Sequence, residues 1–273
     1  MNQALAELNP SPRLLLGPGP SSVHPRVLRA MSTPLLGYLD PEFITMLDET
    51  QDLLRHVFQT QNTLTLPVSG TGMAGMETLL ANLFEPGDRM LVCAAGFFGN
   101  RLEEVALRLG AQVAKVEKPW GEVFAPEEVE AALRAHPAKV LAIVHAETST
   151  GALQPLEELG EIAHRHGALL LVDCVTSLGG VPVKLDEWDI DAAYSGTQKC
   201  LGCPPGLSPV SLSDRARDAI RSRRAKTSSW YFDLELLYKY WGTCLAFNTD
   251  RRCRQVPKSR KSMVILQWTS RGK

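Results

Sequence analysis

Short apolar runs alternate with longer amphipathic stretches along most of the chain, from about residue 12 to residue 242. The runs are rich in Val, Leu and Ile, which is typical of buried β-strands, whereas the stretches between them have helical spacing. The predicted strands are Leu64–Val68, Met90–Ala94, Gln112–Val116, Val140–His145, Leu169–Asp173, Ala192–Ser195 and Pro209–Leu212. The predicted helices are Pro41–Thr60, Gly72–Phe84, Asn100–Gly110, Pro126–His136, Leu156–His166 and Ser213–Arg224. Strands that alternate with helices predict a three-layer α/β/α fold, in which helices cover both faces of a mostly parallel sheet.

Composition and charge are those of an ordinary globular protein. Hydrophobic residues make up 44% of the chain and charged residues 22%, so a substantial core is available. No apolar run has the length of a membrane span, and the first residues lack the layout of a secretion signal. We therefore expect a cytoplasmic protein with no membrane partner. The six cysteines are interpreted as reduced thiols.

A glycine-rich loop follows the first predicted strand. Residues 69–75 read Ser-Gly-Thr-Gly-Met-Ala-Gly and lead into a predicted helix, which matches the pattern G-x-G-x-x-G between a strand and a helix. Such a loop lets an anion approach the helix N-terminus, so we predict a phosphate site. A nicotinamide dinucleotide is disfavoured because the next strand ends at Ala94 with no carboxylate to bind a ribose. A turn that only packs the helix against the sheet is the structural alternative.

Asp173 and Lys199 each lie at or just after the end of a predicted strand. An acid that closes an apolar strand is costly to bury without a partner, so we interpret Asp173 as a carboxylate that faces a ligand's cationic group. A cap for the following turn is the alternative. Lys199 follows small and hydroxyl residues and is suited to imine chemistry, although most lysines are solvated surface charges. The order supports the chemical interpretation: Asp173 comes 101 residues after Gly72, and Lys199 comes 26 residues after Asp173.

Further motifs accompany these residues. They are Leu-Leu-Leu-Gly-Pro-Gly-Pro at 14–20, Glu-Pro-Gly-Asp at 85–88, Glu-Thr-Ser-Thr-Gly at 147–151, Ser-Leu-Gly-Gly at 177–180, Tyr-Ser-Gly-Thr-Gln-Lys at 194–199 and Pro-Pro-Gly at 204–206. Together they resemble the class V, fold-type I aminotransferases that depend on pyridoxal phosphate (PLP), most closely the alanine–glyoxylate and serine–pyruvate aminotransferase group. The resemblance implies a PLP-binding large domain at 12–242, an N-terminal arm at 1–11, PLP as cofactor and a homodimer as the intact form.

The resemblance also implies roles for residues around the cofactor ring. Lys199 matches the lysine that binds PLP covalently and shuttles a proton, and Asp173 matches the partner of the pyridine nitrogen. Phe98 occupies the position of an aromatic ring stacked on one face, where a close family member has tryptophan. Val175 would press on the opposite face. Thr148 matches a hydroxyl residue near the phenolic oxygen.

Four residues occupy the positions that contact the cofactor's phosphate in the family, and three of them match the family pattern. Thr71, Gly72 and Gln198 agree with the family pattern at these positions, which supports the phosphate site predicted from the loop. Met73 departs from it, because a histidine stands at the equivalent place. The change costs little if the contact at that position is made by the backbone N–H.

The implied reaction is transamination from a small L-amino acid, alanine or serine, to glyoxylate or pyruvate. These small molecules are the expected partners, and no nucleic acid is expected. Within the same class, a ureidoglycine–glyoxylate aminotransferase is the alternative. Outside it, the alternative is an inactive remnant that still binds PLP or another anion.

The remaining motifs favour structural interpretations. Cys200 and Cys203 form a C-x-x-C without a second pair spaced for zinc, so we interpret them as buried thiols and expect no metal site. His145, His164 and His166 are interpreted as structural or surface residues. The aromatic residues from 230 to 241 are interpreted as a packing or interface surface in preference to a base-stacking one, because Lys239 is the only basic residue among them.

Residues 243–273 depart from the family pattern. They contain eight Lys or Arg residues against a single acid, Asp250, and have little periodicity. The family continues here with a smaller domain that carries the arginine for the substrate carboxylate. We therefore expect an atypical basic tail, disordered or frameshifted after about residue 242, a missing small domain, and weak or absent turnover by the chain as written. A genuine basic arm for nucleic acid is the alternative.

Overall fold

A seven-stranded sheet forms the centre of the computed structural model, which describes residues 10–242. The strands are β1 (Leu64–Ser69), β2 (Arg89–Ala94), β3 (Gln112–Glu117), β4 (Val140–Val144), β5 (Leu169–Asp173), β6 (Ala192–Tyr194) and β7 (Leu207–Leu212). Their order across the sheet is β1-β7-β6-β5-β4-β2-β3. Strand β7 runs antiparallel to both of its neighbours and all other pairs are parallel, so the predicted mostly parallel sheet is confirmed.

Helices cover both faces of this sheet. In the described part of the chain they are α1 (Pro25–Met31), α2 (Pro41–Phe58), α3 (Gly72–Leu83), α4 (Phe97–Arg108), α5 (Pro126–Ala135), α6 (Leu159–Arg165), α7 (Asp214–Arg221) and α8 (Leu234–Gly242). Buried residues of α3, α4, α7 and α8 share one core with the sheet, and those of α2, α5 and α6 share a second core on the other face. The predicted α/β/α fold is confirmed.

Strand β5 shows why the central strands are continuous apolar runs. Leu169 and Leu171 point into the core beneath α3, whereas Leu170 and Val172 point into the core on the opposite face. Because successive side chains of a strand point to opposite faces, a strand covered on both sides must be apolar at every position. The exception is Asp173, the last residue of the strand, which is buried all the same.

Most predicted elements agree with the structure to within a few residues, and the differences have local causes. Helix α4 begins at Phe97, three residues before the predicted start at Asn100, because the side chain of Glu147 accepts hydrogen bonds from backbone N–H groups of its first turn. Helices α1 and α8 were not predicted from the periodicity. Helix α8 contains part of the aromatic stretch, and its Tyr238 and Trp241 pack against the core as expected.

Two predicted segments lie almost wholly outside the described residues. The expected N-terminal arm at 1–11 is described only at residues 10 and 11, and the expected tail at 243–273 is not described at all. Of the helices between residues 10 and 242, none is both long enough and apolar enough to cross a membrane.

Candidate active site

The predicted site residues meet at one edge of the sheet. Strands β1, β5 and β6 point in the same direction, so their carboxyl ends lie at this edge, as does the amino end of the antiparallel β7. Gly72, the first residue of α3, follows β1, and the loops after β5 and β6 contain Val175 and Lys199. In open parallel sheets this is the edge at which ligands bind.

The glycines of the loop after β1 bring helix α3 close to its neighbours. Gly70 has φ +129°, a left-handed conformation that favours glycine. A Cβ atom on Gly72 would lie 2.8 Å from Cγ2 of Val175, and one on Gly75 would lie 2.1 Å from Oγ of Ser208. The structural role considered for this loop, close packing of a helix on the sheet, is therefore present.

The same helix begins in a way that suits an anion. Thr71 is the N-cap residue of α3, and its side chain makes no capping hydrogen bond. The first N–H groups of a helix have no partner within the helix, and the helix dipole adds positive potential at this end. Packing and anion binding are thus compatible functions of one loop.

Gln198 lies beside this helix start. A Cβ atom on Gly196 would lie 2.8 Å from Oε1 of Gln198 and 3.3 Å from the backbone nitrogen of Gly72, so all three groups surround one small space. Oε1 of Gln198 is buried and has no hydrogen-bond partner among the described residues. Turning the amide by half a turn presents its Nε2–H groups instead, which an anion can accept.

The carboxylate of Asp173 is buried and held by two donors. Oδ1 accepts from the backbone N–H of Val175 at 2.8 Å, and Oδ2 accepts from the hydroxyl of Tyr194 at 2.6 Å. Burial raises the pKa of Asp173 to about 6, and the charge of Glu147 acts in the same direction, whereas both donors and the charge of Lys199 lower it. The hydrogen bond from Val175 gives Asp173 the local capping role considered as an alternative. The carboxylate is also close enough to Lys199 for the charge of that lysine to lower its pKa.

Lys199 is half-buried in the loop after β6 and is covered by the segment that precedes α1. Its Nζ donates to the carbonyl of Pro18 at 2.7 Å. Gly19, with φ +130°, passes so close that a Cβ atom there would lie 2.4 Å from Cδ of Lys199. Ser21 donates through its backbone N–H to the carbonyl of Gln198 and through its hydroxyl to the carbonyl of Lys199.

Glu147 is a residue whose importance the sequence did not reveal. Its buried carboxylate accepts from the backbone N–H groups of Phe98 and Gly99 at 3.1 and 3.3 Å, and from the N–H and hydroxyl of Ser149 at 3.1 and 2.7 Å. The contact fixes the start of α4 and with it the position of Phe98. The Glu-Thr-Ser-Thr-Gly motif was part of the family resemblance, but it did not reveal the role of Glu147. The hydrogen-bond partner Phe98 lies 49 residues earlier in the chain.

The other predicted residues occupy positions near this edge. The Thr148 hydroxyl is hydrogen-bonded to that of Thr176, in the loop after β5. The sulfur of Met73 receives a weak hydrogen bond from Arg101 at 3.7 Å, so its side chain is turned towards α4. Within residues 10–242, no group of three or more His, Cys, Asp and Glu side chains is placed to bind a metal ion.

One structural interpretation of the sequence needs correction. Cys203 is buried as expected, but Cys200 is exposed, and its Sγ donates to the carbonyl of Thr176 at 3.2 Å. Cys200 follows Lys199 within the turn at 197–201, where its side chain reaches the surface. His145 agrees with a structural role, because it is buried and hydrogen-bonded to the Ser177 hydroxyl at 2.9 Å.

Three features meet at one edge of this α/β/α sheet: a helix start suited to an anion, a buried carboxylate and a nearby lysine. This combination is typical of enzymes that bind a phosphorylated cofactor through a lysine. The aminotransferase class-V family model matches residues 15–232, and the chain belongs to this family.

Among its relatives, the alanine–glyoxylate aminotransferase of Rattus norvegicus is 49% identical over 230 residues, which are 84% of this chain and 56% of that protein. The (S)-ureidoglycine–glyoxylate transaminase of Bacillus subtilis (strain 168) is 44% identical over 247 residues, with 84% of this chain and 59% of that protein covered. The chain thus spans little more than half the length of the curated relatives it matches.

The similar solved structures include the same two kinds of aminotransferase. The alanine–glyoxylate aminotransferase of a Nostoc species superposes with a TM-score of 0.87 at 56% identity, covering 89% of this chain and 65% of that one. The ureidoglycine–glyoxylate aminotransferase of Bacillus subtilis superposes with a TM-score of 0.85 at 43% identity. The match covers 93% of this chain and 64% of that one.

We predict that Asp173→Asn stabilises the ligand-free chain at pH 8. The pKa of Asp173 is raised from 3.8 to about 6 by folding, so the native state binds the proton more tightly than the unfolded state, and stability falls as the pH rises through this interval. Asparagine carries no charge to bury, so the free energy of unfolding should rise by about 3 kcal/mol at pH 8 and by less at pH 5.

Urea denaturation at both pH values measures this difference. Asp218→Asn, at an exposed position of α7, is the control and should show no comparable pH dependence. An Asp173→Asn chain that is equally destabilised at pH 5 and pH 8 would contradict the prediction.

We predict that Glu147→Ala destabilises the chain by about 2–4 kcal/mol, because it leaves buried N–H groups at the start of α4 without an acceptor. Glu147→Gln keeps one acceptor oxygen and should cost less. The free energy of unfolding of the two variants measures the effect, and equal losses would show that the helix start does not depend on this acceptor.

Proposed function

We propose that this chain forms the PLP-binding part of an aminotransferase that moves an amino group from alanine or serine to glyoxylate or pyruvate. The observation that supports this most strongly is the meeting of Lys199, Asp173 and the start of α3 at one sheet edge, in a chain of the class-V family. The names of the rat and Nostoc relatives support alanine and glyoxylate, whereas serine and pyruvate rest on the resemblance of the sequence alone.

The residues at this edge fit PLP, which combines a phosphate, a cationic ring nitrogen and an aldehyde. The start of α3, with Thr71, Gly72 and the backbone of Met73, offers N–H groups to the phosphate. The space between Gly196, Gly72 and the unpartnered amide oxygen of Gln198 is where glycine is required and where a further polar partner is needed. With the amide turned so that Nε2 faces this space, an anion there would accept its hydrogen bond.

Asp173 would hold the proton on the ring nitrogen. Its carboxylate is excluded from water, so its interaction with a cationic nitrogen is stronger than at the surface. Val175, packed against Gly72, would contact one face of the ring, and Phe98, fixed through Glu147, the other. Thr148 would donate to the phenolic oxygen.

Lys199 would provide the reactive amine. When bound, PLP supplies an aldehyde that an amine can attack and a ring that accepts electrons. Lys199 Nζ is close enough to Asp173 for its charge to lower the pKa of that carboxyl, and it is held by the carbonyl of Pro18. Released from this carbonyl, the amine can take up and return the proton at the substrate's Cα.

A ureidoglycine–glyoxylate aminotransferase is the second candidate. The Bacillus subtilis relative with that name is 44% identical, against 49% for the rat enzyme, and its solved structure superposes with a TM-score of 0.85, against 0.87 for the Nostoc enzyme. The two candidates share the proposed cofactor site and differ in the amino donor. The cytoplasm remains the expected location from the sequence alone.

The proposal also includes a homodimer. Large apolar side chains between residues 14 and 39 are exposed, with Leu16 at 85% and Leu35 at 99% of their full accessibility. So many exposed large apolar side chains in one short segment favour an interface, because large exposed apolar surfaces are unusual on a monomer. We infer that a second copy of the chain covers it.

We predict that the chain mixed with PLP develops the visible absorption of a lysine-bound cofactor. Lys199→Ala should abolish this band, and Lys184→Ala, which changes a surface lysine paired with Glu187, should not. Adding L-alanine should convert the band of the unaltered chain to that of the amine form. A band that survives Lys199→Ala would exclude this lysine, and no band in the unaltered chain would favour a remnant that does not bind PLP.

We predict that Leu35→Asp shifts the chain towards the monomer in sedimentation velocity, because a charge in an apolar interface is not compensated. Trp120→Asp, at an exposed position between β3 and α5, is the control and should leave the oligomeric state unchanged. A chain that is monomeric without either change would contradict the inferred interface.

A further inference from the structure

Tyr194 and Asp173 form a pair at the ends of two neighbouring strands. In the parallel pairing of β5 and β6 they are register partners, and both side chains lie on the face covered by α3. The hydroxyl of Tyr194 donates to Oδ2 of Asp173 at 2.6 Å. A hydrogen bond from a neutral donor to a carboxylate is among the stronger kinds in proteins.

Tyr194 has no surface from which it could touch a ligand. It is completely buried, and a Cβ atom on Gly75 of α3 would lie 3.0 Å from its own Cβ, so the helix lies directly over it. Burial and the charge of Asp173 raise the pKa of Tyr194 well above its usual value. The phenol therefore keeps its proton and acts only as a donor to Asp173.

We propose that Tyr194 is a positioning residue that orients the Asp173 carboxylate and keeps it in the anionic form, ready to hold a proton on the ring nitrogen of a ligand. The proposal rests on the function proposed above for Asp173. Tyr194 lies outside the ligand site, yet its hydrogen bond would influence whether the proton resides on Asp173 or on the ring nitrogen.

The groups around Asp173 explain why such a donor is needed. Burial and the nearby charge of Glu147 raise the pKa of Asp173, while Tyr194, the N–H of Val175 and the charge of Lys199 lower it. Without the phenol, only one hydrogen-bond donor to the carboxylate remains among the described residues. The carboxylate would then be more basic and would compete with the ring nitrogen for the proton.

Neighbouring titratable groups do not replace the phenol. Burial raises the pKa of the Cys174 thiol, so it stays neutral next to Asp173. The backbone N–H of His145 donates to the carbonyl of Asp173, but burial lowers the pKa of its imidazole to about 4, so the ring is uncharged at neutral pH.

The experiment is an NMR titration of the Asp173 carboxyl in the ligand-free chain, with carboxyl-labelled aspartate and Asp173→Asn to assign the signal. Tyr194→Phe should raise the midpoint by about one pH unit, which is the effect expected for losing a hydrogen bond to a charged group. Tyr231→Phe, at an exposed position, should leave it unchanged. An unchanged midpoint in a folded Tyr194→Phe chain would overturn the proposal.

A second replacement covers the case in which Tyr194→Phe does not fold. Difluorotyrosine at position 194 keeps the ring and the hydroxyl but makes the hydroxyl a stronger donor. It should move the Asp173 midpoint in the opposite direction, to lower pH. A role limited to packing would give no shift with this replacement, and that result would overturn the proposal.

Cofactor binding is a separate readout. In the chain loaded with PLP, Tyr194→Phe should weaken PLP binding on the order of tenfold, as measured from the visible band. Absence of any band in the unaltered chain would refute the proposed function of the site, while the titration of the ligand-free chain would still decide the role of Tyr194. Unchanged PLP affinity together with a shifted midpoint would overturn the part of the proposal that concerns the ring nitrogen.

Discussion

The burial of a carboxylate at the end of β5 is the constraint around which this sheet edge is organised. An ion removed from water is costly unless hydrogen bonds and opposite charges compensate for it. The chain meets this cost by placing Tyr194 opposite Asp173 on β6, by turning the backbone so that the N–H of Val175 faces the carboxylate, and by placing Lys199 nearby. These contacts do not fully offset the free energy of burying the charge, so the pKa of Asp173 stays above its usual value.

The glycines of helix α3 allow the helix to pack closely over the residues around the buried carboxylate. Gly75 leaves the room that Tyr194 needs beneath the helix, and Gly72 leaves room for Val175. The glycine pattern that resembles a phosphate-binding loop is therefore also required for packing around the carboxylate. A larger residue at either position would push the helix away from the sheet, and the helix start would no longer lie beside Gly196 and Gln198.

The sequence predicted local features well and long-range contacts poorly. The strand Leu169–Asp173 was predicted to the residue, because an apolar run covered on both faces ends where the first polar side chain appears. The class-V family and the fold were predicted as well, because several motifs occur in a fixed order. The roles of the individual site residues stay predictions. The acceptor function of Glu147 and the contact between Lys199 and Pro18 were missed, since their partners lie 49 and 181 residues away in the chain.

Two buried carboxylates lie at this edge, and their hydrogen bonds explain why only one of them is available to a ligand. A carboxylate can accept about four hydrogen bonds. Glu147 accepts four from α4 and Ser149, so its capacity is used within the protein. Asp173 accepts two among the described residues, one at each oxygen, so both oxygens retain capacity. The first carboxylate stabilises the fold, and the second is held in place with its binding capacity partly unused, which is the condition under which a buried acid can bind a cationic group of a ligand.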